Sequence, residues 1–396
     1  MGTESNIFKF YLFKFISAMF FHSPIFVIYL RGYISLTEVM VLEVFAGFTT
    51  MILEIPSGAF ADMVGRKQAM LVGTASFSLA YLIYLKAPSI VPLFPFILFI
   101  VARCLTATSI TFLSGADSAF LYDSLKEIGL ENDFRKIMGN AQALYELGIA
   151  FAALVGGLLT KIDISTPYVA NVCIFIVASL VILTFREPRH YETLRLAQYW
   201  KHQKESVRFV LMHPRVRWIT FFYGMVHTFT FIGLILFTQP YLALVGVPLP
   251  YFGFIYCAAV LFSAVIAKTC YKIDERLSER KSLFMMPGFL FLAYLAMSQI
   301  TQIYGIVFLL FIHFVVAYLT PIMDHHTHVH LKSISRATVL SVRNLAGGIA
   351  SAIFSPFLGY IADTYSLTTA LILSAAIILV LSTIMFPFFR LSAKTV

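Results

Sequence analysis

Charged residues make up only 12% of this 396-residue chain, against a usual share of about 25% in soluble globular domains. That deficit excludes an ordinary water-soluble fold. Cysteine is sparse too: Cys104, Cys173, Cys257 and Cys270 form no CxxC pair. They read as small packing residues, which argues against a disulfide framework or a thiolate metal site. Short catalytic signatures are missing as well. There is no Walker loop for ATP, no HExxH zinc motif and no GxSxG nucleophile elbow, so neither an enzyme nor a bound cofactor is expected. No set of His and Asp residues suited to a membrane acyltransferase lies at a plausible interface.

What the chain has instead is apolar length. Hydrophobic residues reach 59% and the mean hydropathy is +0.85. About 20 consecutive apolar residues are needed for a helix to cross the hydrocarbon core, whereas a barrel would show alternating ten-residue segments. Twelve continuous runs predict an all-α integral membrane protein with 12 transmembrane helices. The first six are 7–30, 36–60, 69–85, 91–113, 137–159 and 168–185; the second six are 218–245, 251–269, 282–300, 304–323, 337–361 and 367–389. The first run is too long for a signal-peptide core and no small-residue cleavage site follows it, so no cleavable signal is expected. Asn6 stands where myristoylation would need Ser or Thr.

The excess of basic over acidic residues, 29 against 20, follows the predicted loops. With a cytoplasmic N-terminus, Arg66, Lys67, Lys126, Arg135, Lys136, Arg276, Arg280, Lys281, Lys332 and Arg336 fall inside, while the outer loops hold Arg31, Lys86 and Lys161. Positive loops on the inner side set orientation. The net charge of +9 is therefore topology and calls for no nucleic acid. Both termini are expected in the cytoplasm.

The polar, basic stretch 187–217 is the longest connection and divides the chain into halves 1–186 and 218–396. Within it Leu196, Tyr199, Trp200, Val207, Val210 and Leu211 recur at helical spacing opposite Arg195, Lys201, Lys204 and Arg208, the pattern of an amphipathic helix on a membrane surface. A faint repeat supports two halves. Arg135 leads into the Gly-rich fifth run and Arg336 into the Gly-rich eleventh, and repeated halves are the trace of a two-bundle transporter.

Between the second and third runs stands GAFADMVGRK, with Gly58, Asp62, Gly65, Arg66 and Lys67 in the register Gly-x-x-x-Asp-x-x-Gly-Arg-Lys. This resembles the loop signature of the major facilitator superfamily, and the resemblance extends over essentially the whole chain. Arg103 falls where that family often has a membrane-embedded arginine. Gly148, Ala152, Ala153, Gly156 and Gly157 form a loose version of its antiporter motif, without the proline. The resemblance implies two six-helix bundles that rock about a central site in a bacterial inner membrane, acting as a monomer. Gly58 would permit close helix packing and Gly65 a tight turn. Asp62 would latch the closed state against the start of the eleventh helix, around Arg336 and Thr338; pairing of Asp62 with Arg66 or Lys67 alone is the plainer alternative.

In that family the first, fourth, seventh and tenth helices line the cavity, which here implies His22, Arg103, His227 and His313 as candidate substrate residues. Ionisable groups at membrane depth are costly unless paired or hydrated. Glu146 lies at a depth similar to that of Arg103 and is a candidate partner for it. Glu43 has no evident partner and is, with Glu146, a candidate proton carrier. Glu54 belongs to the EIPSG segment and reads as structural. Asp324 to His330, DHHTHVH, places His325, His326, His328 and His330 at helical spacings; metal binding is chemically open there, but a solvated segment is the simpler reading and no metal is assigned.

The function expected is secondary active transport, with proton-coupled efflux of a small organic compound placed first. Uptake of an anionic metabolite or siderophore-like compound is the rival. A receptor on a transporter-like fold is the alternative of another class.

Overall fold

A computed structural model describes residues 5–188, 210, 212–329 and 336–393, with side chains described outside 325–329, 336–341 and 390–393. Every regular element among them is helical. The first half comprises α1 (Ser5–Ser17), a 3-10 turn (Ser23–Ile25), α2 (Phe26–Arg31), α3 (Leu36–Met63), α4 (Arg66–Ile90), α5 (Phe96–Leu113), α6 (Ala116–Glu127), α7 (Phe134–Leu159) and α8 (Thr166–Leu183). The second comprises α9 (Pro214–Phe231), a π-helical segment (Ile232–Phe237), α10 (Thr238–Leu244), α11 (Leu249–Arg276), α12 (Glu279–Gln299), α13 (Leu309–Val329), α14 (Arg336–Thr364) and α15 (Leu367–Ala393). The expected surface helix within 187–217 lies almost wholly outside the described residues.

Eleven described helical stretches are long and apolar enough to cross a membrane, by length and composition. The remaining expected span, 7–30, carries Lys9, Lys14 and His22 among its apolar residues and is not one helix. It breaks after Ser17 and resumes at Ser23. Pro24, in the first turn of the resumed segment, has no N–H to continue the ladder. The freed backbone groups are satisfied by Asn171 of α8: its Oδ1 accepts the His22 amide at 3.0 Å and its Nδ2 donates to the Met19 carbonyl at 3.0 Å. Irregular backbone at membrane depth survives only where protein supplies such partners. The break also needs room. A Cβ on Gly156 of α7 would lie 1.9 Å from the Phe21 carbonyl oxygen, so only glycine allows α7 to lie against it.

The seventh span is irregular as well. Pro240 removes a helical donor, and the π-helical segment just before it carries a Thr238 hydroxyl bond back to the Gly233 carbonyl at 2.7 Å.

The chain forms two compact units. The first takes in 1–34, 42–196 and 249–257; the second takes in 35–41, 197–248 and 258–396. At one end of the first unit Phe10, Phe13, Met70, Phe120, Leu121 and Phe185 pack into a buried cluster. Lys14 is drawn into that region by Asp117 of α6 at 3.0 Å and by the Tyr145 ring at 4.8 Å. In the second unit Trp218 donates to the Met385 carbonyl at 2.9 Å and stacks on Phe222, 4.8 Å between centroids. Arg215 pairs with Glu279 and lies 4.5 Å from the centre of the Phe389 ring.

Candidate functional site

Gly65 adopts φ 130°, a backbone conformation that favours glycine, and turns the chain from α3 into α4. The two amides that follow it, those of Arg66 and Lys67, donate to the Glu187 carboxylate at 2.7 and 2.9 Å. An acidic side chain on a helix N-terminus satisfies orphan donors and opposes the dipole. Lys67 Nζ donates to the carbonyls of Leu183 and Phe185, both at 2.8 Å. Glu187 was not foreseen from the sequence, because its partner turn lies about 120 residues earlier.

Asp62 is buried and pairs with Arg66 at 2.6 Å across the turn between α3 and α4, while Arg66 also approaches Asp123 at 3.8 Å. The side chains of Arg336 and Thr338, its expected partners, lie outside the described ones. Among the described residues close packing at Gly58 is not found: a Cβ there would meet none of their atoms within 4 Å.

Arg103 projects from the middle of α5 and its true partner is Glu43 of α3. Nε donates to one carboxylate oxygen at 2.9 Å and Nη2 to the other at 2.6 Å, while Nη1 donates to Thr106 Oγ1 at 2.8 Å. This two-pronged geometry is the strongest form of arginine–carboxylate contact. The side chains are 22% and 7% exposed respectively. Glu43 is thus not partnerless, and Glu146 is not the mate of Arg103; Glu146 instead accepts from Gln142 on its own helix at 2.8 Å. Helical rotation decides the matter, since equal depth does not put two residues on facing sides.

His22 sits in the broken first span, inside an aromatic box. Its ring lies 4.7 Å from Tyr81, 5.4 Å from Tyr168 and 5.6 Å from Phe26, and the Arg103 guanidinium lies 5.9 Å from the centre of that same Phe26 ring. His22 Nε2 reaches the Tyr81 hydroxyl at 3.4 Å, whereas Nδ1 is buried without a partner. The hydroxyls of Tyr84 and Tyr168 are likewise buried and unpaired. The first unit therefore joins His22, Arg103 and Glu43 into one polar and aromatic neighbourhood.

His227 and His313 belong to the second unit and differ in kind. His313 is buried and its Nδ1 meets Ser263 Oγ at 3.1 Å, a satisfied packing arrangement. His227 lies in a ladder on α9, stacked between Tyr223 at 5.4 Å and Phe231 at 6.4 Å, with its Nδ1 buried and unpaired. Beside that ladder stands Arg343 of α14, whose Cζ is 4.0 Å from the Tyr223 ring centre and whose Nη2 donates to Asp324 at 2.7 Å. Arg343 was not singled out from sequence. It lies in a run apolar enough to read as a plain span, seven residues after the more conspicuous Arg336.

Helix α13 does continue through Val329, but the side chains of His325, His326 and His328 and all of His330 fall outside what is described. Among the described residues no cluster of three or more His, Cys, Asp or Glu is placed to hold a metal ion.

The family profile of the Major Facilitator Superfamily matches residues 10–353. A solved structure of a point mutant of the nucleoside transporter NupG superposes with a TM-score of 0.78 at 12% identity, covering 97% of this chain and 99% of that one. A D-xylose-proton symporter gives a TM-score of 0.70 at 11% identity over 98% and 97% of the two chains. A bacterial homologue of the human lysosomal transporter Spinster, inward-facing and unoccupied, gives 0.69 at 16% identity over 99% and 97%. At such identities the likeness concerns the fold. No curated protein sequence matches the chain.

Proposed function

The chain belongs to the Major Facilitator Superfamily, and on that footing we propose that it is a proton-coupled secondary transporter exporting a small organic compound by alternating access. The Glu43–Arg103 pair carries the reading. A carboxylate held two-pronged by an arginine inside a membrane span accepts a proton only as the pair opens, so proton binding and release of the guanidinium are one event. That linkage is what coupling requires: cargo that competes for Arg103 promotes protonation of Glu43, and the reverse holds with the same free energy. The aromatic box around His22, next to the pair, offers apolar faces and unpaired polar atoms to a small organic molecule.

In the same reading the six-helix halves 1–186 and 218–396 rock about a central site, joined by 187–217, with both termini in the cytoplasm of a bacterial inner membrane and the protein acting as a monomer. Asp62 changes partners during the cycle. It rests on Arg66 in one state and latches against the start of α14 in the other, where the open space at Gly58 lets a helix approach.

Sealed proteoliposomes with a lumenal pH dye test this. Addition of cargo should move protons, and Glu43→Gln should abolish that movement while preserving cargo exchange. Proton movement unchanged in Glu43→Gln would remove the pair from coupling. Saturable flux separates a transporter from a receptor, and the direction of cargo flux under an imposed gradient separates export from uptake of an anionic metabolite.

A further inference from the structure

The two membrane arginines described above are in opposite states. Arg103 has all three guanidinium nitrogens bonded, two to Glu43 and one to Thr106. Arg343 is only 3% exposed, with Nη2 bonded to one oxygen of Asp324; among the described residues its Nε and Nη1 are buried without a hydrogen-bond partner. Unbonded donors on a buried, permanently charged group are costly, and a fold keeps them where another molecule completes them.

The surroundings indicate which molecule. One face of the guanidinium lies on the Tyr223 ring at 4.0 Å. Tyr223 stacks on His227 with planes 24° apart, and His227 on Phe231 with planes 11° apart, forming a ladder of flat rings along α9. His227 Nδ1, also unpaired, lies over Gly347, one turn along α14 from Arg343, where a Cβ would come within 3.2 Å of it. Donors of a guanidinium match the oxygens of a carboxylate, and a ring ladder stacks on an aromatic body. We propose that Arg343, Tyr223 and His227 form a binding site in the second unit for an aromatic carboxylate, with Asp324 as the internal anion that holds Arg343 until the ligand's carboxylate replaces it.

This narrows the cargo of the transporter reading and rests on it only for the word cargo, since binding is measured apart from flux. Purified protein in detergent is titrated with benzoate, with acetate as the non-aromatic anion and benzamide as the uncharged ring, and thermal unfolding is followed. Benzoate should stabilise in a saturable manner with an affinity about tenfold or more above either control. Equal affinity for acetate would overturn the aromatic part, and equal affinity for benzamide the ionic part. Arg343→Lys retains the charge but loses the fork and should weaken benzoate by about tenfold, whereas Arg31→Gln, at the exposed end of α2, should leave it unchanged. Asp324→Asn removes the competitor and should tighten benzoate several-fold; a purely structural Asp324–Arg343 pair predicts weaker or unchanged binding, and that result would overturn the assignment even if Arg343 variants fail to fold. Benzoate binding without any flux would keep the site and sink the transport reading. Benzoate flux indifferent to Arg343→Lys would do the opposite.

Discussion

Asp363, near the end of α14, caps the first turn of α3 through Thr37: one carboxylate oxygen accepts both the Thr37 amide at 2.7 Å and the Thr37 hydroxyl at 2.6 Å, while the other accepts the Leu36 amide at 3.1 Å. Both segments belong to the second unit. Gly359, one turn earlier on α14, brings the backbones so close that a Cβ would lie 3.0 Å from Thr37 Cα. Asp363→Ala should lower stability by about 1–2 kcal/mol, the worth of a helix N-cap, with Asp363→Asn losing less; thermal unfolding in detergent measures both. Gly359→Ala adds that Cβ and should lower stability as well, read in the same unfolding assay; an unchanged melting temperature would show that the two turns have room to part.

Removing one member of the Glu43–Arg103 pair should hurt more than removing both. Arg103→Ala leaves a buried carboxylate uncompensated and should cost about 3–5 kcal/mol. The double variant Glu43→Gln, Arg103→Gln should be closer to the parent in stability than Arg103→Ala, yet inactive in proton-coupled flux. Additive losses in the double variant would mean that the two residues act independently.

Asn171→Leu keeps the side chain's size but removes both the acceptor for His22 and the donor to Met19. The loss should be about 2–4 kcal/mol, two buried backbone groups left unsatisfied. Asn171→Asp preserves the acceptor alone and should fall between. Stability unchanged in Asn171→Leu would show that the break satisfies itself.

Gly156→Ala and Gly58→Ala should behave oppositely. The first drives a methyl group into the Phe21 carbonyl and should impair folding; the second enters open space and should leave thermal stability within about 0.5 kcal/mol of the parent. Any transport loss in Gly58→Ala then reports on a conformation other than this one. Asp62→Asn should likewise express and fold while stalling transport, and normal flux in that variant would remove the latch.

Hydropathy alone located the spans, because a membrane helix must be apolar over a length fixed by the bilayer. The signature from Gly58 to Lys67 points to the family because its five residues stand in one fixed register within ten positions. Sequence failed where the deciding contact is remote. The first span reads as one hydrophobic run in sequence, so its break between Ser17 and Ser23 stays hidden until Asn171 supplies the reason. Sequence pairs Arg103 with Glu146 and leaves Glu43 without a partner, whereas the structure pairs Arg103 with Glu43, since depth is legible from sequence and helix rotation is not. Arg343 went unmarked in an apolar run, although an arginine inside a predicted span was itself a sufficient signal.

The break in the first span also sets an order of assembly. Its amide at His22 and carbonyl at Met19 are satisfied by a residue 149 positions later than His22, one that emerges from the ribosome only with the sixth span. Until then the broken conformation has no protein partner for those groups and hydrocarbon offers none. The amino-terminal segment therefore takes its final shape late in synthesis, and a nascent chain truncated before Asn171 should hold it in a different form from the finished protein.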